Sequence, residues 1–148
     1  MASGNQIVVK EMSPGMQHME GKLDTAGSPG MRVKMAADGN YDPVTTAGEA
    51  GPILILKENA LDGKNATTAL VAADQVAIHK CLPGDELNVL LTDLQVVAVG
   101  DVLTVATTGK YVKKTGTPKQ DDFIALEALS PSGADGLIHV MCGMYAAN

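Results

Sequence analysis

The sequence predicts a mainly β protein, an antiparallel barrel or sandwich with little helix, and two observations carry that expectation. From residue 52 onward, seven short apolar segments follow one another with turn chemistry at each junction, the pattern of a small all-β domain. The 16 Gly and seven Pro among 148 residues are too many for a helical bundle and suit short strands joined by tight turns. A chain of this length supports one core and is marginal for two.

The segments run in order. Ile53-Leu54-Ile55-Leu56 follows Gly51-Pro52 and is apolar throughout, as a strand buried on both faces must be. Asp62-Gly63-Lys64-Asn65 marks a turn, and Val76, Ile78 and Lys80 alternate with Ala77 and His79 in a second strand that Pro83-Gly84-Asp85 ends. Leu87 to Leu91 makes the third. Gly100-Asp101 introduces Val102 to Ala106, and Thr108-Gly109 turns it back into Tyr111 to Thr115, a hairpin. Phe123 to Leu129 reads as strand from its β context, and Asp135-Gly136 launches a closing strand, Leu137 to Met141. Helix is expected in a turn or two at most, at Leu70 to Ala73 and Leu94 to Val97.

Residues 1–51 differ in character from residues 52–148, and the chain divides on that contrast into an N-terminal arm and loop-rich segment followed by a β domain. Six of the eight methionines fall in the first part, where the apolar runs are brief, as in Ile7-Val8-Val9 and Met31 to Met35. Such a composition buries little surface alone, so the segment orders against a partner or folds onto its own domain as loops and edge strands. Aromatic residues are few: Phe123, Tyr41, Tyr111 and Tyr145, with no Trp. The core is therefore aliphatic, and subunit contacts are a natural source of further burial.

Charge and composition exclude several functions. A net charge of −6 with Arg32 as the sole arginine opposes nucleic-acid binding, which needs clustered cations, and opposes attachment to anionic membranes. No apolar run approaches the roughly 20 residues of a spanning helix, and Met1 to Asn5 lacks the pattern of a secretory leader, so a cytoplasmic origin is expected. Cys81 and Cys142 are then read as reduced, small buried residues. Together with His79 and His139 they offer a tetrahedral zinc set, but Cys81 and Cys142 sit at different spacings from their histidines. On extended strands His79 and Cys81 point together while His139 and Cys142 point apart.

Catalysis finds little footing. No Ser or Cys sits in a nucleophile elbow, and His18 lies in the glycine-rich arm. Gly27-Ser28-Pro29-Gly30 and Gly48-Glu49-Ala50-Gly51 lack the lysine of a phosphate loop and read as turns. Asn65-Ala66-Thr67 matches a glycosylation sequon without the secretory context. The carboxylate pairs Asp85-Glu86 and Asp121-Asp122 border strands, where solvated charges guard strand ends, and the chain lacks the aromatics that stack sugars. No catalytic residue, metal or cofactor is expected.

Several blocks, taken in order, resemble the decoration (cement) proteins of tailed-phage capsids. They are Pro52 to Asn59 (Pro-Ile-Leu-Ile-Leu-Lys-Glu-Asn), Leu61-Asp62-Gly63-Lys64, Val71-Ala72-Ala73-Asp74-Gln75-Val76 and Leu82-Pro83-Gly84-Asp85-Glu86-Leu87. Val99 to Thr104, Gly109 to Val112, Ile124 to Ala128 and Gly136 to Val140 continue the series over about two-thirds of the chain. The resemblance implies a single antiparallel β-barrel or tulip-like domain with an extended N-terminal arm. It also implies homotrimers on the outer surface of an expanded capsid, bridging major capsid protein subunits, with no nucleic acid or membrane as partner. Under it, Gly63, Gly84, Asp85, Gly100 and Asp101 are the motif turn residues. The capsid-binding arm falls on Ile7, Val8, Val9, Lys10, Met12, Met16 and Met19, and Ile7 to Lys10 is suited to adding a strand to a sheet edge. Met31 to Tyr41 matches nothing in that pattern. The alternatives are a carbohydrate- or host-surface-binding β-module of a virion and, third, an enzyme of barrel fold.

Overall fold

A computed structural model describes residues 6–13, 16–59 and 65–143 as eleven strands, with no helix among the described residues. The mainly β expectation holds. The strands are β1 (Val8–Lys10), β2 (His18–Lys22), β3 (Arg32–Met35), β4 (Tyr41–Pro43), β5 (Leu54–Leu56) and β6 (Gln75–Lys80). They continue as β7 (Glu86–Leu91), β8 (Val102–Val105), β9 (Tyr111–Lys113), β10 (Phe123–Ala125) and β11 (Gly136–Cys142).

Five strands close into a barrel in the order β7-β11-β10-β8-β9. All its ladders are antiparallel except the closing one, where Leu91 of β7 meets Tyr111 of β9 in parallel and the Thr92 amide donates to the Tyr111 carbonyl at 2.9 Å. The same edge of β7 serves β1 at its other end, through Val8↔Leu87 and Lys10↔Glu86. Inward residues alternate along the strands, as in Leu87, Val89 and Leu91. The two core aromatics, Tyr111 and Phe123, meet edge to face with centroids 5.0 Å apart.

The second sheet runs β2-β6-β5-β3-β4 over its own core of Leu23, Val33, Tyr41, Leu54, Leu56, Leu70, Val76 and Ile78. Strand β5 joins the two layers, because Leu54 and Leu56 enter this core while Ile53 and Ile55 enter the barrel core. Its uninterrupted apolar run is thus explained by burial on both faces. Gly30 fastens the layers further: its amide donates to the Leu56 carbonyl and its carbonyl accepts from Leu90. A Cβ there would stand 2.7 Å from the Leu90 nitrogen, so only glycine admits this approach.

Strands from both sides of the 51/52 boundary share one sheet, since β3 pairs with β5 and β2 pairs with β6. Residues 6–13 and 16–50 therefore fold onto the body of the protein, one of the two outcomes expected for this segment: β7, β6 and β5 supply backbone partners to β1, β2 and β3, and β4 pairs with β3. The helical turns expected at Leu70 to Ala73 and Leu94 to Val97 are tight turns with positive φ at Ala73 and Leu94, and Leu70 and Val97 make isolated bridges to Gly27 and Leu129. The segment read as strand from Phe123 to Leu129 is ladder only as far as Ala125.

Candidate functional site

A single turn design recurs at four places where the chain enters a strand. In Val71 to Asp74, Leu82 to Asp85, Ala98 to Asp101 and Lys119 to Asp122, the aspartate amide donates to the carbonyl of the first residue, and its carboxylate accepts that residue's amide at 2.7 to 2.9 Å. The strands β6, β7, β8 and β10 begin immediately after these aspartates. The side chain thus satisfies a donor that the turn would otherwise orphan. Ala73, Gly84 and Gly100 hold the third position with positive φ, which favours glycine and strains alanine. Gly84, Asp85, Gly100 and Asp101, the motif residues, occupy two of these turns, while Gly63 lies outside the described residues. The other two turns went unread because Ala73 and Asp121 offer no glycine signal.

Asp85 extends its turn into a hub. Fully buried, its carboxylate also accepts the Met12 amide at 2.7 Å, the His79 Nε2–H at 2.9 Å, and the Gln17 side-chain amide. Burial pushes this carboxyl up, but the donors from Leu82, Met12, His79 and Gln17 outweigh it and hold the group below its ordinary value. Gln17 in turn donates to the Lys80 carbonyl and accepts the Ser13 amide, both at 2.8 Å. These bonds anchor the N-terminal segment across the end of β6 and the start of β7. Asp122 is likewise buried and binds Lys114 Nζ at 2.6 Å. The expectation of solvated carboxylates at 85 and 122 is corrected: both are taken out of water because backbone amides replace it.

The arm residues divide. Ile7 is fully buried in the barrel core, its amide donating to Glu58 and its carbonyl accepting from Asn88; Val8 packs on the same core, and Met19 packs on the second one. Val9, Met12 and Met16 face outward with 49%, 54% and 83% of their surface exposed, and Lys10 is exposed beside them. Met12 lies over the Gly84 turn. A second exposed apolar run, Leu94, Val96 and Val99, lies on the loop between β7 and β8.

The four candidate metal ligands do not assemble. His79 is engaged by Asp85, with its Nδ1 3.5 Å from Glu11, whereas His139 sits opposite Asn88 on the barrel ladder. Of the four, Cys81 and Cys142 line one cleft and the two histidines do not. No group of three or more His, Cys, Asp or Glu is placed to hold a metal among the described residues. The cysteines line a surface cleft of about 720 Å³ with Pro52, Pro83, Gln120 and Asp121. Asp121 stands 3.7 Å from the buried Arg32 guanidinium. The Gly27 to Gly30 and Gly48 to Gly51 segments form loops, and Asn65 accepts the amide and hydroxyl of Thr67 in a side-chain-closed turn.

No protein-family model matches the chain and no curated protein matches it. Among solved structures, the chain is similar to the N base of head fiber gp8.5 of bacteriophage phi29, with 12% identity and a TM-score of 0.49 over 84% of this chain and 92% of that one.

Proposed function

We propose that this chain is a capsid decoration protein: a homotrimer that attaches to the outside of an expanded phage capsid and bridges neighbouring major capsid protein subunits. The observation that carries this reading is the outward row Val9, Met12 and Met16 on a segment whose backbone is pinned by β7 and Asp85. Exposed methionines adapt to an irregular partner surface, and a pinned backbone lowers the ordering cost of docking. Three of the blocks that resemble the cement family coincide with the turns that launch β6, β7 and β8, so the resemblance falls on residues that start strands of both sheets.

The role is mechanical. A protein that binds only the expanded lattice stabilises it by mass action, and three attachment segments on one trimer convert weak contacts into tight attachment through effective concentration. The net charge of −6 keeps free subunits soluble and away from the genome. Neither a cofactor nor a reaction enters this role.

The test mixes purified protein with expanded and unexpanded capsids and reads occupancy by cosedimentation and electron microscopy. Density at threefold positions of expanded particles only is the expected result. Absence of attachment, or a monomer by light scattering at micromolar concentration, would overturn the reading.

A further inference from the structure

Of the groups not used by the proposed attachment, the two cysteines are the most unusual in their placement. They are 61 residues apart in sequence, yet both belong to the barrel core and line one cleft. Their backbones are held at the same place. Cys81 follows β6 directly and donates to the Ile53 carbonyl at 2.8 Å; Cys142 ends β11 and donates to the Asp85 carbonyl at 2.8 Å, while its own carbonyl accepts from Gly84. The turn that leaves Cys81 is thus the turn that grips Cys142. Both residues line the cleft beside Asp121, which brings a small reagent next to otherwise buried cysteines.

We propose that Cys81 and Cys142 are a modification site, a dithiol that a low-molecular-weight disulfide converts into an intramolecular cystine tying the second sheet to the barrel. Cys81, the less buried of the two, attacks first. Its thiolate forms a bond to one sulfur of oxidised glutathione and expels a glutathione thiolate. The Cys142 thiolate then displaces the second glutathione, closing the protein disulfide, and the two protons lost by the cysteines end on two molecules of glutathione. Two protein thiols are oxidised and one glutathione disulfide is reduced.

Burial, then the Cys142 thiol beside it, push the Cys81 thiol well above its ordinary value. Since only the thiolate attacks, closure is slow at neutral pH and accelerates about tenfold per pH unit into the alkaline range.

The experiment incubates the native protein with oxidised glutathione at about pH 7, 8 and 9, quenches with an alkylating reagent, and maps peptides without reduction. The expected product is one Cys81–Cys142 peptide pair with an intact mass lower by about 2 Da, its rate climbing with pH, and a thermal midpoint raised by on the order of 10 °C from closing a long loop. Cys142→Ala supplies the control, with no cross-link and no such rise. Two alkylatable thiols surviving at the highest pH, glutathione retained as the end product, or disulfides formed only between chains would each overturn the proposal. Peptide mapping uses the unmodified sequence, so the test stands even if the variant folds poorly.

Discussion

The carboxylate of Asp85 accepts the backbone amide of Met12 at 2.7 Å, across 73 residues of sequence. One buried side chain thereby closes its own turn and fixes the position of the segment carrying the outward methionines. Folding and the proposed attachment are joined at this residue.

Replacement of Asp85 tests that junction. Asp85→Ala leaves the Met12 and Leu82 amides, the Gln17 amide and the His79 ring without their acceptor. Orphaned buried donors cost about 1 to 3 kcal/mol each before relaxation, so a loss of roughly 3 to 5 kcal/mol is expected. Urea unfolding followed by circular dichroism measures it, and a loss below about 1 kcal/mol would mean the hub contributes little.

Acid should weaken the fold through the same group. Asp85 is held below its ordinary value of 3.8, as is Asp101 through the Ala98 amide and Lys113, and Asp135 through Lys110 and the Asp93 amide. Between the folded and unfolded values the unfolded chain binds more protons, so stability rises with pH across that window. The contribution is fully present above about pH 4 to 5 and is lost as pH falls through the depressed folded values. Thermal midpoints measured from about pH 7 to 3 should decline steeply at the acid end, and Asp85→Asn should flatten the decline while lowering stability at neutral pH.

The turn geometry makes predictions of opposite sign at Ala73 and at the glycines of the sister turns. Ala73 and Leu94 hold φ of 70° and 65°, where a β-carbon is strained. Ala73→Gly should stabilise the protein by roughly 0.5 to 1 kcal/mol, while Gly84→Ala and Gly100→Ala, at φ of 93° and 88°, should each destabilise it by about 1 kcal/mol or more. Differential thermal unfolding of the set reads the signs directly; a destabilised Ala73→Gly would show that entropy in the unfolded chain outweighs the strain.

Ile7 decides whether the first strand belongs to the body. Its side chain is fully buried in the barrel core, so Ile7→Ala should cost about 2 to 4 kcal/mol. Removal of residues 1–10 should therefore destabilise the domain as well as alter attachment, since it strips β1 from β7 and the acceptor from Asn88. An unchanged melting curve after that deletion would return β1 to the role of a detached arm.

What the sequence disclosed follows from where stabilisation is local. The β8–β9 hairpin was legible because Thr108 and Gly109 turn it, and β5 because burial on two faces demands four apolar residues in succession. Strands β1 to β4 were not, since three to five residues of mixed polarity carry no clear period, and the partners of β1, β2 and β3 in β7, β6 and β5 lie further along the chain. The carboxylate hub was half visible. Asp85 stood out as a turn residue, but nothing in the order of residues places Met12, Gln17 and His79 around it. The sequence shows Cys81 and Cys142 only as small buried residues, because their adjacency exists only once β6 and β11 have ended at the same turn.

The outward row gives the sharpest test of attachment. Val9, Met12 and Met16 take no part in either hydrophobic core, whereas Ile7 and Val8 pack into the barrel core. Val9→Ser, Met12→Ser and Met16→Ser combined should therefore leave the thermal midpoint within a few degrees, because exposed substitutions shift stability by about 0.5 kcal/mol or less each. Losing three apolar contacts of about 1 kcal/mol on each arm should weaken capsid binding by at least about a hundredfold, and avidity across a trimer should enlarge the loss. Unchanged occupancy on expanded capsids, with the fold intact, would move the attachment surface away from this row and toward the exposed Leu94, Val96 and Val99 loop.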